Sequence, residues 1–337
     1  MTSSMNRRII LAARPVGEPK ESDFELVDGP IPQPHEGEVL VAVSWLSLDP
    51  YQRGRMRDAK SYAEPVAVGA VMEGGTVGRV TASRSPAFAI GDVVQGSLGW
   101  QEYAISDGRN IRSVDPALGP LSTSLGVLGM PGMTAYFGLL DVGRPRPGET
   151  VVVSAASGAV GALVGQIAGI MGCRTVGTAG SQAKIDYIVD ELGFDAGINY
   201  KTDDVGYALD DACPRGIDVY FDNVGGPVTD AVLERLNTGA RISVCGQISQ
   251  YNSDEPVLGP RNMGVLVRGE ARMEGFLVTQ FAHGYEAARQ QIAIWIAEGK
   301  VKYKEDVVQG LENAPRAFIG LLRGENFGKQ LIKMAPE

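Results

Sequence analysis

Ala156, Gly158 and Gly161 stand at the spacing of a dinucleotide-binding fingerprint, with alanine in the first place. In such a turn the backbone N–H groups and the start of the following helix face a pyrophosphate. Gly158 lets the backbone approach the phosphates, Gly161 lets the helix lie on the sheet, and Ala159 and Val160 complete the turn. NAD-binding chains carry Asp or Glu about twenty residues further on, to hold the ribose 2′-hydroxyl. Here that region reads Gly177-Thr178-Ala179-Gly180-Ser181-Gln182-Ala183-Lys184, without a carboxylate. A hydroxyl and an ammonium three residues apart suit a 2′-phosphate. Ser181 would donate a hydrogen bond and Lys184 would supply charge. Gly180 stands in the same loop, and Tyr200 could reach in from the end of the third strand. Ser181 also fits a helix N-cap, and Lys184 a solvated helix position. The combination points to NADPH rather than NADH.

Other chemistries are poorly served. Cys173, Cys213 and Cys245 are scattered without a CxxC pair, which argues against a disulfide framework or a thiolate metal site. Cys173 and Cys245 fall in apolar, strand-like text, where a thiol acts as a small hydrophobe. His35 and His283 suit surface positions in a loop and near a helix start, and no metal is expected. A net charge of −9 over 337 residues disfavours nucleic acid as a partner. No apolar run approaches the roughly 18–20 residues of a membrane span. Arg7-Arg8-Ile9-Ile10-Leu11, cut short by Arg14-Pro15, reads as a first strand rather than a signal peptide. The chain is therefore expected in the cytoplasm.

The elements that must position these residues fall into two kinds. The first 120 or so residues read as mostly β, with strands at 23–27, 38–44, 90–94 and 100–105, and a glycine-rich stretch at 69–80 suggesting a bulged sheet. Short helices follow at 122–128 and 132–140. From Val151 strands and helices alternate: strand 151–154, helix 159–171, strand 174–178, helix 182–192, strands near 196–199 and 217–222, helix 227–236 and strand 240–245. Such alternation implies a doubly wound parallel sheet. A helix of about twenty residues ends at Gly299, and strand-like text returns at 301–308 and 329–333, so the tail is expected to rejoin the first domain.

Several segments together match one family. They are Trp45-Leu46-Ser47-Leu48-Asp49-Pro50-Tyr51-Gln52-Arg53-Gly54-Arg55-Met56, Gly129-Met130-Pro131-Gly132-Met133-Thr134-Ala135-Tyr136 and Ala155–Gly161, then Phe221-Asp222-Asn223-Val224-Gly225-Gly226, Cys245-Gly246-Gln247-Ile248-Ser249-Gln250-Tyr251-Asn252 and Glu325-Asn326-Phe327-Gly328-Lys329. Over essentially its whole length the chain resembles the zinc-independent medium-chain dehydrogenase/reductases of the leukotriene B4 dehydrogenase and prostaglandin reductase type. Bacterial curcumin reductases and plant double-bond reductases belong to the same group.

The resemblance implies an α/β fold in which a Rossmann doubly wound parallel sheet (residues 126–301) is inserted in a GroES-like β-barrel catalytic domain (residues 1–125 and 302–337). It implies NADPH, a homodimer joined through the cofactor domains, and reduction of the carbon–carbon double bond of α,β-unsaturated ketones and aldehydes. It places Met130, Thr134 and Asn223 near the nicotinamide, and Cys245, Gly246 and Ile248 in the loop under its ribose. The carboxamide falls to backbone groups of Phe276, Leu277 and Val278, and Asn326 and Gly328 are further cofactor contacts. Tyr51 and Tyr251 match two tyrosines that line the substrate pocket. The cysteine and Gly-His-Glu ligands of zinc-dependent relatives are replaced by Ser47-Leu48-Asp49-Pro50 and Gly69-Ala70-Val71-Met72-Glu73-Gly74-Gly75, which disfavours zinc-bound alkoxide chemistry.

With hydride going to the β-carbon of an enone, charge develops on the carbonyl oxygen, and the expected donors are hydroxyls: Tyr251 first, then Tyr51, with the cofactor's 2′-ribose hydroxyl able to share the role. On the residues alone either tyrosine reads equally as a half-buried aromatic with a wet hydroxyl. A quinone reductase of the same superfamily and a non-enzymatic NADPH-binding protein are the alternative readings.

Overall fold

The computed structural model describes residues 5–334. β1 (Met5–Leu11) and β2 (Phe24–Pro30) come first, then β3 (Val39–Ser47), α1 (Gln52–Arg55), β4 (Thr76–Ser83), β5 (Val93–Gly96), β6 (Tyr103–Ser106) and β7 (Ile111–Ser113). α2 (Met130–Phe137) opens the alternating part: β8 (Thr150–Val153), α3 (Gly161–Ile170), β9 (Arg174–Ala179), α4 (Gln182–Asp186), β10 (Ala196–Asn199), α5 (Val205–Ala212), β11 (Ile217–Asp222) and α6 (Gly226–Leu233). β12 (Leu236–Val244), α7 (Gly264–Arg268), β13 (Arg272–Gly275) and α8 (Tyr285–Ala297) continue it, and β14 (Glu305–Gln309), α9 (Ala314–Leu322) and β15 (Lys329–Lys333) come last. The chain divides into two compact units, one running to Gly126 and resuming at Glu305, the other spanning Val127–Lys304.

In the first unit β3 is the organiser. Its first half pairs antiparallel with β6 (Val39 to Ser106, Ala42 to Tyr103) and its last residues with β15 (Ser47 to Leu331), while β4 lies along its other edge. The hydrogen-bonded order is β14-β15-β3-β4-β5-β7, with β6 paired to β3 as a seventh strand off that path. The β3–β4 register slips twice, and Gly78 is needed there because a Cβ would collide with the Ala42 carbonyl. Beside this sheet Phe24 stacks on Trp100 at 5.6 Å, with the Phe318 ring edge-on to both. Phe318 belongs to α9, a helix lying between the two tail strands.

The second unit carries an all-parallel six-stranded sheet in the order β10-β9-β8-β11-β12-β13. This is the doubly wound order, whose reversal of direction falls between β8 and β11. Every residue of β8 is buried, as three consecutive valines require in a sheet covered on both faces. α3 packs closely because Gly165 leaves its place to the Phe194 ring.

Two expected helices break in a particular way. The helix expected at 132–140 is α2 followed by a π-helix, Gly138–Gly143, and that at 182–192 is α4 followed by a π-turn, Tyr187–Glu191. At Gly138 a Cβ would collide with the rings of Phe276 and Phe221, and Ser243 Oγ donates to the Gly138 carbonyl at 2.8 Å. These contacts sit where the backbone widens. The expected twenty-residue helix begins as a 3-10 segment, Val278–Gly284, and becomes α-helical only at Tyr285. The strand expected from 301 starts at Glu305. Val301 is buried in the second unit, where the Gln166 side-chain amide bonds the Lys302 N–H at 2.7 Å and its carbonyl at 2.9 Å.

Candidate functional site

In an open parallel sheet a ligand site forms beyond the carboxyl ends of the strands, at the reversal of order. The loops leaving β8, β11, β12 and β13 all lie at that end of the sheet, those of β8 and β11 flanking the reversal. After β8 the residue in the left-handed region is Ala155, at φ 51°, one place before the expected first position. Ala156 is instead fully buried, packed where Gly177 of β9 leaves no room for a side chain, and its N–H donates to Thr178 O at 2.9 Å. An alanine at positive φ costs roughly 1 kcal/mol, a strain of the kind held at ligand loops. Gly161 must lack a side chain because a Cβ would strike the Ala155 carbonyl, whereas one at Gly158 would stand 3.2 Å from that oxygen. Ala159 and Val160 are partly exposed beside the first turn of α3, where the Ala162 N–H bonds Gly158 O at 3.0 Å and the Leu163 and Val164 N–H groups bond Val160 O. This cradle fits a pyrophosphate.

At the end of β9 both readings of Ser181 hold together. It is the N-cap of α4, its side chain accepting from the Lys184 N–H at 3.4 Å. A Cβ on Gly180 would lie 2.8 Å from Tyr200 Oη and 3.2 Å from Lys201 Cε. The structure thus brings Tyr200 and Lys201 against Gly180, beside Ser181 and the first turn of α4 that carries Lys184; Lys201 is a second lysine, which the sequence reading missed although it follows Tyr200 directly. The cluster fits a 2′-phosphate better than a ribose 2′-hydroxyl, which would call for an acceptor.

The central loops are tied together by Asp222 and Ser154. Asn223 donates from its backbone N–H to Ser154 Oγ and from Nδ2 to Ser154 O, each at 2.8 Å. The N–H groups of Cys245 and Gly246 both donate to Asp222 O, at 2.8 and 3.1 Å, and Ile248 N–H to Asn223 O at 3.3 Å. Tyr251 follows the 3-10 turn Ile248–Gln250, and its Oη accepts from the Gln247 N–H at 3.4 Å over the Gly246 backbone. Asp222 carried no sequence signal beyond membership of a matching segment, and Ser154 none beyond its place at the end of the expected strand 151–154.

Met130, 36% exposed, opens α2, and Thr134 Oγ1 donates to its carbonyl one turn back at 2.8 Å. Phe276 is buried edge-on to Phe221, while Leu277 is exposed and its N–H donates to Gln280 Oε1 at 3.3 Å. That N–H, which the resemblance assigns to the carboxamide, therefore already has a side-chain partner.

In the first unit Tyr51 precedes α1, and Arg55 one turn on places its guanidinium 5.7 Å from the Tyr51 ring and 4.6 Å from that of Tyr62. Arg55 is ion-paired with Glu73 at 3.2 Å. Burial, then Asp49 and Glu73, raise the Tyr51 phenol far above the ordinary tyrosine range, with Arg55 opposing. Asp49 itself is buried against Lys329, whose Nζ donates to Asp49 Oδ1 and to Leu48 O, each at 2.7 Å, while Ser47 Oγ donates to the other carboxylate oxygen. Asn326 Nδ2 donates to the Gly328 carbonyl at 2.8 Å, a local turn that presents both residues ahead of Lys329.

Among the described residues no group of three or more His, Cys, Asp and Glu is placed to hold a metal ion. Burial pushes the Cys173 and Cys213 thiols up to about 11 and that of Cys245 up to about 12, Asp222 adding to the last. None is a thiolate nucleophile.

Comparison with known proteins gives a consistent answer. Residues 7–114 match a family described as the N-terminal domain of oxidoreductase, and residues 159–293 one described as zinc-binding dehydrogenase. The chain is 48% identical to the NADPH-dependent curcumin reductase of Escherichia coli (strain K12), over 98% of this chain and 97% of that one. It is 46% identical to the 2-alkenal reductase (NADP(+)-dependent) of Nicotiana tabacum, over 98% of each. The crystal structure of CurA in complex with NADPH from Vibrio vulnificus superposes with a TM-score of 0.94 at 50% identity, covering 98% of this chain and 100% of that one.

Proposed function

The chain belongs to the zinc-independent medium-chain dehydrogenase/reductases, and from that premise we propose that it is an NADPH-dependent reductase of the carbon–carbon double bond of α,β-unsaturated ketones and aldehydes. The observation that carries this reading is near-full-length identity to enzymes named for NADPH-dependent curcumin and 2-alkenal reduction. The hydroxyl and two ammonium groups at the end of β9 agree with the cofactor half of it.

When bound, NADPH supplies the hydride for the β-carbon of the enone. The chain's own groups bind and orient. Ala156, Gly158, Ala159, Val160 and Gly161 are assigned to the pyrophosphate, and Gly180, Ser181, Lys184, Tyr200 and Lys201 to the 2′-phosphate. Met130, Thr134, Asn223, Cys245, Gly246, Ile248, Phe276, Leu277 and Val278 are assigned to the nicotinamide end, and Asn326 and Gly328 to further contacts. Tyr251 and Tyr51 are the hydroxyl donors to the carbonyl oxygen. The Tyr51 phenol is too weak an acid to deliver its proton, so its Oη–H acts by holding a hydrogen bond as charge develops. The α-carbon then takes its proton from water or by way of the Tyr251 Oη.

The first unit is proposed as the GroES-like catalytic domain and the second as the cofactor domain. No helix among the described residues is long and apolar enough to cross a membrane, and a cytoplasmic homodimer joined through the cofactor domains is the assembly we propose, tested by light scattering. Oxidation of NADPH followed with an alkenal, with curcumin and with a simple quinone tests the activity. Turnover with the first two supports it, and turnover with the quinone alone overturns it in favour of a quinone reductase.

A further inference from the structure

Asp222, the last residue of β11, is 1% exposed, and no cation pairs with it among the described residues. Its Oδ1 accepts from Tyr220 Oη at 3.0 Å, Val224 N–H at 3.0 Å, Gly225 N–H at 2.8 Å and Ser154 Oγ at 3.3 Å. Its Oδ2 accepts from Thr229 Oγ1 at 2.7 Å. The two backbone N–H groups can only donate, and the three hydroxyls are placed to do so, although Tyr220 Oη also lies 3.1 Å from Thr229 Oγ1 and Ser154 Oγ 3.4 Å from Phe221 O; such a shell suits an ionised carboxylate. Two titratable groups face it, and both stay protonated. Burial and then Asp222 drive the Tyr220 phenol well above its usual range, and the same two causes hold Cys245 as a thiol. The donors stabilise the anion as dipoles and leave its charge uncancelled.

That uncancelled charge sits under the loops already assigned to the nicotinamide. Asn223 is the next residue, Ser154 bonds the carboxylate, and Cys245 and Gly246 bond the Asp222 carbonyl. A dihydronicotinamide is neutral, whereas the oxidised ring carries a positive charge. A fixed anion in a low-dielectric site favours the cationic form and needs no reorganisation to do so.

We propose that the Asp222 carboxylate is an electrostatic positioning residue that biases the site toward the oxidised, positively charged nicotinamide, and so assists departure of the hydride. The proposal rests on the NADPH reading above. In the assisted step a C–H bond breaks on the cofactor and one forms at the enone β-carbon, two electrons move with the hydride, and the α-carbon later takes a proton. Asp222 exchanges neither a bond nor a proton.

The test is an equilibrium one, with no enone present. Dissociation constants for NADP+ and NADPH are measured for the unaltered chain, D222N and T229V, alongside thermal melts. D222N keeps the shape and removes the charge, so it weakens NADP+ relative to NADPH by about fivefold or more. T229V keeps the charge and removes one hydrogen bond, so it lowers Tm and leaves the ratio within about twofold. An equal change in both constants for D222N overturns the proposal, as does a shift in T229V as large as that in D222N. If D222N does not fold, D222S carries the same expectation, its hydroxyl still accepting from the Val224 and Gly225 N–H groups. Failure of the unaltered chain to bind NADPH would be a different result, one that removes the cofactor reading itself.

Discussion

Each unit buries an aspartate close to candidate site residues, Asp49 near Tyr51 and Asp222 next to Asn223, and the two are treated oppositely. Asp49 meets an ammonium, Lys329 Nζ, at 2.7 Å, in a pair whose side chains are 9% and 5% exposed. Asp222 meets only dipoles: three side-chain hydroxyls and two backbone N–H groups. The first arrangement neutralises a charge and pins a late strand to an early one. The second preserves a charge and orders the loops around it. Burial of a carboxylate alone therefore says little about its task; the identity of its partners decides whether it serves the fold or the electrostatics of the site.

The largest effect that can break this contrast is expected in the first unit. K329M leaves Asp49 buried without its cation and costs about 3–5 kcal/mol in denaturant unfolding, and D49N together with K329M recovers part of that. D222N, in which an isosteric amide can still accept most of its partners' hydrogen bonds, costs less, about 1–3 kcal/mol. A larger loss for D222N than for K329M would dissolve the distinction. Next in size, Y251F lowers kcat/KM for an enone at least about tenfold without a matching change in Tm. An unchanged value removes Tyr251 from the reaction. K184A raises the KM for NADPH about tenfold and leaves that for NADH within about twofold, because only the former presents a 2′-phosphate. Equal effects on both cofactors would return Lys184 to the solvated helix face. Smallest, K201A moves the same NADPH-to-NADH ratio by about threefold, as an exposed ammonium is screened by salt.

Much of the second unit was legible because its signals are local. Three valines and a glycine turn announce β8 and α3, and the strands 196–199 and 217–222 fall where hydrophobic text suggested. What escaped depends on partners distant in sequence. The widening of α2 into a π-helix goes with Phe221 and Phe276, and the left-handed residue is Ala155 rather than Ala156 because Gly177 of the next strand accommodates the latter's methyl. α9 was missed between two strand-like stretches, although Gly310, a turn residue ahead of it, and Pro315 in its first turn were available signals. At the site the type of cofactor could be read from the absence of a carboxylate after β9. Lys201 and the hub at Asp222 could not, since an exposed lysine and a strand-end aspartate look ordinary until their neighbours are known.

The pairing of β15 with β3 has a consequence for the order in which the molecule assembles on the ribosome. β3 emerges early, yet one stretch of its edge finds its partner only after Lys329–Lys333 has been synthesised. The second unit, Val127–Lys304, has all its strands before that point and is able to fold first. The N-terminal sheet must wait, with Asp49 lacking its counter-charge, until Lys329 and the rest of β15 have been made. Such long sequence separation slows folding and prolongs the exposure of unpaired strand edges, so nascent chains halted near residue 304 are expected to engage chaperones through their N-terminal rather than their most recently made segment.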